Sequence, residues 1–170
     1  MRPITLRLAA TSLAAFVLTL AVSVEAWAQA TSQPAPAPDA DGVILIGGAA
    51  TRDGFVKGRP LIETATYKVH ASRRDGPGIP EVHARDTDIF HVLEGKATLV
   101  TGGRMVDGKA TAADELRGAR IEGGTARALA KGDIVIIPKG VPHWFRDVQA
   151  PFLYYTVKVT APAPITGGGR

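Results

Sequence analysis

Two histidines and two carboxylates stand in this chain at spacings that can bring them to one place. His143 follows Gly132-Asp133-Ile134-Val135-Ile136-Ile137-Pro138-Lys139-Gly140-Val141-Pro142. There an apolar, mostly β-branched strand runs into a Pro/Gly turn, so the imidazole opens the returning strand of a hairpin. Glu81 and His83 are two residues apart, which on a strand turns both side chains to one face. A turn over 84–87 separates them from Asp88, whose strand carries Phe90 and Val92 on the same face as Asp88 and leaves His91 on the other. Gathered imidazoles and carboxylates serve either as nitrogen and oxygen ligands of a divalent metal or as carriers of protons. The chain has no cysteine, which removes thiolate ligands, thiol nucleophiles and disulfide staples.

The elements that must position these groups read as strands almost throughout, with Gly, Pro and Asp punctuation at the intervals of a sandwich or barrel. Strands are predicted over 43–46, 61–71, 81–83, 89–93, 97–101, 120–122, 126–130, 134–137, 143–147 and 152–159. One helical turn is expected over 111–116, where Thr111 and Asp114 form a weak capping box. It falls in a polar, Gly-bounded insert over 102–124, of the kind that rims a barrel mouth or reaches a neighbouring subunit. In the last strand, Leu153, Tyr155, Val157 and Val159 are expected to face the core while Tyr154 and Lys158 face away. No Ser/His/Asp arrangement, phosphate-cradling glycine loop or His-Glu-x-x-His helix is present.

On two stretches the chain resembles the cupin superfamily. Gly132, Pro138, Gly140 and His143 match its second motif, G-x5-P-x-G-x2-H-x3-N, without a gap, and Asp147 stands where the family has Asn. In the first motif, G-x5-H-x-H-x3 or 4-E-x6-G, His83 takes the second His, Asp88 the Glu and Gly95 the closing Gly. Glu81 replaces the first His, and Gly76 lies one residue from the opening Gly. The resemblance implies an all-β, single-domain fold, the double-stranded β-helix or jelly-roll barrel. It also implies a divalent metal (Fe, Mn, Ni or Zn) held by Glu81, His83, Asp88 and His143, the same residues serving as the candidate catalytic groups. Arg85, Phe90 and Tyr155 are candidate substrate contacts. Two carboxylates where the family has one bring the charge of a bound divalent ion to zero, so an anionic substrate would need help from Arg85, Lys68 or Arg146. Without metal, Glu81 and Asp88 sharing an apolar pocket are expected to repel, raising one pKa toward neutrality and making an acid/base pair.

The function expected on this basis is lyase, isomerase or dioxygenase chemistry on a small molecule. The alternative is a non-catalytic barrel that binds a sugar or small acid at a degenerate metal site. The resemblance also suggests a homodimer through an outer sheet face that includes Trp144 and His91.

The ends of the chain carry other information. Arg2 and Arg7, an apolar stretch from Leu8 to Val24 and the small residues of Ala26-Trp27-Ala28 have the layout of a secretory signal peptide over 1–28, with Ala28-Gln29-Ala30 a second site of the same form. An exported protein, periplasmic or secreted and free of the membrane after cleavage, is therefore expected. Residues 29–41, with alternating prolines, read as a disordered tether, 42–160 as the barrel and 161–170 as a flexible tail. Loss of Arg2, Arg7 and Glu25 with the leader takes the net charge from +4 to a mild +3. Acids and bases are interspersed, which argues against a nucleic-acid partner.

Overall fold

Long β-branched and aromatic stretches interrupted by glycine build this molecule almost wholly from antiparallel strands. The computed structural model describes residues 36–163. The leader, the start of the tether and the end of the tail lie outside the described residues. The elements in order are α1 (Gly48–Lys57), β1 (Arg59–Glu63), β2 (Tyr67–Arg74), β3 (Glu81–His83), β4 (Asp86–Thr101) and β5 (Arg104–Val106). They continue with β6 (Lys109–Ala112), β7 (Glu115–Arg117), β8 (Arg120–Glu122), β9 (Thr125–Ala130), β10 (Ile134–Ile137) and β11 (His143–Thr160). Nine strands form one curled sheet, β1-β2-β11-β3-β7-β6, with β4 pairing β9, β10 and β11; β5 and β8 make a separate ribbon.

Two long strands run through the whole architecture. β4 unites the predicted 89–93 and 97–101 strands, and β11 unites 143–147 and 152–159. They pair with one another along most of their length, with register shifts between Phe145 and Asp147 and between Gln149 and Tyr154. β4 turns at Gly95, whose φ is +81° and where a Cβ would lie 2.4 Å from the Pro151 carbonyl oxygen; only glycine fits there. Inside the curl, Phe90, Val92, Ala97, Leu99, Leu129, Ile137, Phe145, Phe152 and Tyr154 form the core. Phe90, Phe145, Phe152 and Tyr154 pack ring against ring, with centroids 5.0–5.5 Å apart.

Several expectations need correction. Residues 43–46 form no strand, and Leu45 is 84% exposed. The 61–71 strand is a hairpin, β1 and β2, turned where the Thr64 hydroxyl and backbone N–H both donate to the Tyr67 carbonyl. The helical turn over 111–116 is the β6–β7 hairpin, whose β7 pairs with β3; Thr111 donates across it to Glu115 instead of capping a helix. The helix lies instead at α1, a Gly- and Ala-rich segment without a side-chain N-cap, closed by Gly58 in the left-handed conformation at φ 60°.

The face assignment of the last strand is reversed. Phe152, Tyr154 and Thr156 are buried on the inner face, and Tyr155 lies under the helix against Phe55, ring centroids 5.0 Å apart. Phe55 of α1 covers the outer face at Tyr155, while Val159 on that face is 48% exposed, so apolar alternation carried no sign of which face was the core.

Candidate metal centre

The site is assembled from strand ends. β3 presents Glu81 and His83 inward, β4 presents Asp88, and β11 opens with His143 in register with Glu81. The turn before His143 is tied to β3, since the Gly140 N–H donates to the His83 carbonyl over 2.8 Å. Gly140 makes that turn with φ +79°, which favours glycine. His143 is 1% exposed and Asp88 2%.

Nδ1 of His143 donates to the Val141 carbonyl at 3.0 Å, which leaves Nε2 facing the cavity. That Nε2 lies 3.4 Å from Glu81 and 3.5 Å from Asp88. His83 Nε2 lies 3.4 Å from Asp88, and its Nδ1 is 3.9 Å from Glu115. Both Nε2 atoms are buried and neither has a hydrogen-bond partner. Glu81, His83 and His143 each offer one ligand atom, all within 4.8 Å of one another, so these three can hold a metal ion. Asp88 shares the pocket, but both its oxygens accept from the Lys158 ammonium, at 2.8 and 3.0 Å.

Charge keeps both carboxylates ionised. Burial alone would raise the Glu81 pKa, yet the imidazoles of His143 and His83 and the Arg117 guanidinium outweigh it and hold the carboxyl at about 2. Burial opposes ionisation of Asp88 too, and His143, His83 and Lys158 hold it well below the ordinary carboxylate range. The expected repulsion that lifts one of the two toward neutrality does not arise, because the His143 imidazole lies within 3.5 Å of both and the Lys158 ammonium pairs with Asp88. Burial would likewise lower His143, but the Asp88 and Glu81 carboxylates, with the Val141 carbonyl, raise it to about 9.

Around this centre lies a cavity of about 390 Å³ that takes in Glu81, His83, Asp88 and Phe90 together with Arg74, Glu115, Arg117, Tyr154 and Lys158. Of the three predicted substrate contacts only Phe90 lines it. Arg85 is spent on structure, donating to the Ala161 carbonyl at 2.6 and 3.0 Å and pairing with Asp114 at 3.5 Å. Tyr155 sits on the far face of its strand. Lys68 is paired with Asp86 at 2.7 Å, and Arg146 with its neighbour Asp147 at 2.9 Å. His91 is exposed, as its parity predicted, whereas Trp144 is half-buried and donates its indole N–H to the Gly78 carbonyl.

Apart from Arg73, which pairs with Asp75 at 2.8 Å, the cavity's cations are Arg74, Arg117 and Lys158, none of which was singled out as facing it. Lys158 was legible only through the correct strand parity. Arg117 enters through the β7–β3 pairing, which has no local signal.

The family model described as Cupin matches residues 63–167. No curated protein sequence matches the chain. Among solved structures, BH2720 from Bacillus halodurans is similar at 15% identity, with 75% of this chain and 89% of that one covered and a TM-score of 0.49. KdgF from Halomonas sp. is similar at 15% identity, covering 61% of this chain and 79% of that one at a TM-score of 0.44. Hydroquinone 1,2-dioxygenase from Sphingomonas sp. TTNP3, solved with 4-hydroxybenzoate bound, shares 16% identity over 61% of this chain and 65% of that one at a TM-score of 0.45. Identities this low carry nothing about activity.

Proposed function

The chain belongs to the cupin family, and from that premise we propose that it is an exported enzyme of small-molecule chemistry whose divalent metal is held by Glu81, His83 and His143. The observation that carries this reading is the pair of buried Nε2 atoms that lack a hydrogen-bond partner beside a carboxylate. A buried polar atom left unpaired costs about 1–3 kcal/mol, and one cation would satisfy both. Two imidazoles and a carboxylate leave open positions and suit Fe(II), Mn(II), Ni(II) or Zn(II). When bound, such an ion polarises a substrate oxygen or acidifies a water.

The surrounding residues do the rest. Phe90, against His143 at a ring distance of 6.2 Å, gives the pocket an apolar wall. Glu81 and Asp88 stay ionised at neutral pH, so proton delivery falls to the Lys158 ammonium and the Tyr154 hydroxyl, both in the cavity lining. Donors of that kind suit lyase or isomerase chemistry ahead of dioxygenation. Export is proposed from the leader-like residues 1–28 alone.

The second reading, a non-catalytic binding barrel, draws support from Lys158, which already gives Asp88 a resident cation. Elemental analysis of the secreted protein separates the two. Near-stoichiometric transition metal is expected in the parent, with loss in His83→Ala and His143→Ala and strong depletion in Glu81→Ala while circular dichroism is unchanged. Metal-free parent protein, even after reconstitution, would leave the binding barrel.

A further inference from the structure

Building on the metal reading above, we propose that the molecule bound in this cavity is a small carboxylate-bearing anion, gripped by the guanidinium groups of Arg74 and Arg117. The two arginines reach the cavity from opposite sides of Glu81, one on β2 and one on β7. Arg117 lies 3.1 Å from Glu81 and also pairs with Glu115. Arg74 is held rigidly, its Nε donating to the Tyr154 hydroxyl at 2.8 Å and its guanidinium lying 4.6 Å over the Phe145 ring. Its terminal nitrogen stands 4.0 Å from Glu81, beyond hydrogen-bond distance. A guanidinium fixed through Nε and its face, with terminal N–H groups left over, is prepared for bidentate binding of a planar carboxylate.

Charge points the same way. The lining sets Glu81, Asp88 and Glu115 against Arg74, Arg117 and Lys158; Arg73 lines the cavity too, its charge already met by Asp75 at 2.8 Å. Histidines aside, these charges offset one another, and a divalent ion adds an excess of positive charge. Glu81, the carboxylate both arginines now share, is the one the metal would draw on. An entering anion restores the balance and takes over the guanidinium donors that Glu81 gives up. At about 390 Å³ the space suits a small molecule.

The test titrates the metal-loaded protein with malonate, malonamide and inorganic phosphate by calorimetry, with metal content measured on the same samples. Malonate should bind and malonamide should not. Arg117→Gln and Arg74→Gln should each weaken malonate at least about tenfold at unchanged metal content, and Arg117→Lys should recover part of the loss. Arg117 sits on a half-exposed hairpin, so its variants leave the core intact even if Arg74→Gln is destabilised. Equal binding of malonate and malonamide, no binding of malonate, tighter binding of phosphate, or affinity unchanged in both glutamine variants would overturn the carboxylate assignment. Failure of the parent to take up metal would instead overturn the reading on which it rests.

Discussion

His143 holds a proton that a metal must displace. Its Nδ1–H is committed to the Val141 carbonyl, and two carboxylates raise its pKa to about 9, so the metal-free protein keeps a proton on Nε2 at pH 7. A metal needs that lone pair. Metal uptake at pH 7 should therefore release close to one proton from this side chain, and the release should shrink as pH approaches 9. Calorimetry in two buffers of different ionisation enthalpy measures it. Release near zero at pH 7 would mean that His143 is neutral before the metal arrives. At this scale the replacement of a first-motif His by Glu81 loses its oddity, since Glu81 lies between two guanidiniums and an imidazole that all favour its charge.

At the scale of elements, the site depends on how β4 and β11 bend together. His143 and Asp88 lie on these two strands, and their closeness requires that both turn in step near Gly95 and Pro151. Gly95→Ala would place a methyl 2.4 Å from the Pro151 carbonyl oxygen in backbone at φ +81°. The expected cost is about 2–4 kcal/mol, read as a lower denaturant midpoint at unchanged slope. A loss within about 0.5 kcal/mol, the size of an ordinary surface substitution, would show that the two strands can separate there freely. The β6–β7 hairpin has the complementary role: by pairing with β3 it sets Glu115 opposite His83 and Arg117 opposite Glu81. The insert predicted as a rim is thus the side of the cavity that supplies charge.

For the whole molecule, the buried charges make stability depend on pH in opposite senses at the two ends. Glu81, lowered from 4.5 to about 2, contributes stability that is present above 4.5 and lost as pH falls toward 2. His143, raised from 6.5 to about 9, contributes stability that is present below 6.5 and lost as pH rises toward 9. The metal-free protein should be most stable between these limbs, and thermal melts across pH should show both. With metal bound, the alkaline limb should vanish, because His143 is then neutral already; a limb unchanged by metal would place the ion elsewhere. Among the described residues no helix is long and apolar enough to cross a membrane.

Much of this was readable from local chemistry. The Pro138–Gly140 turn, the two-residue spacing of Glu81 and His83 and the β-branched run before the turn each specify geometry within a few residues and mark an all-β chain. The barrel fold and the four ligand candidates Glu81, His83, Asp88 and His143 come with the cupin resemblance; the structure brings the ligand atoms of Glu81, His83 and His143 within 4.8 Å of one another. Face assignment failed at Tyr155, whose outer side packs on Phe55 of the helix, and at Lys158, a charged residue drawn inward by Asp88, so hydrophobicity could not tell inside from out. The helix at 48–57 and the hairpin at 109–117 escaped because neither carries a strong periodic or capping signal; each is settled by what it packs or pairs against. The same physics sorts the cations. Arg85 and Lys68 stand near the motif in sequence but find partners outside the cavity, whereas Arg74, Arg117 and Lys158 are brought in by strand pairings between residues far apart in the chain. Local residues determined which groups could do chemistry, and long-range pairing decided which charges surround them.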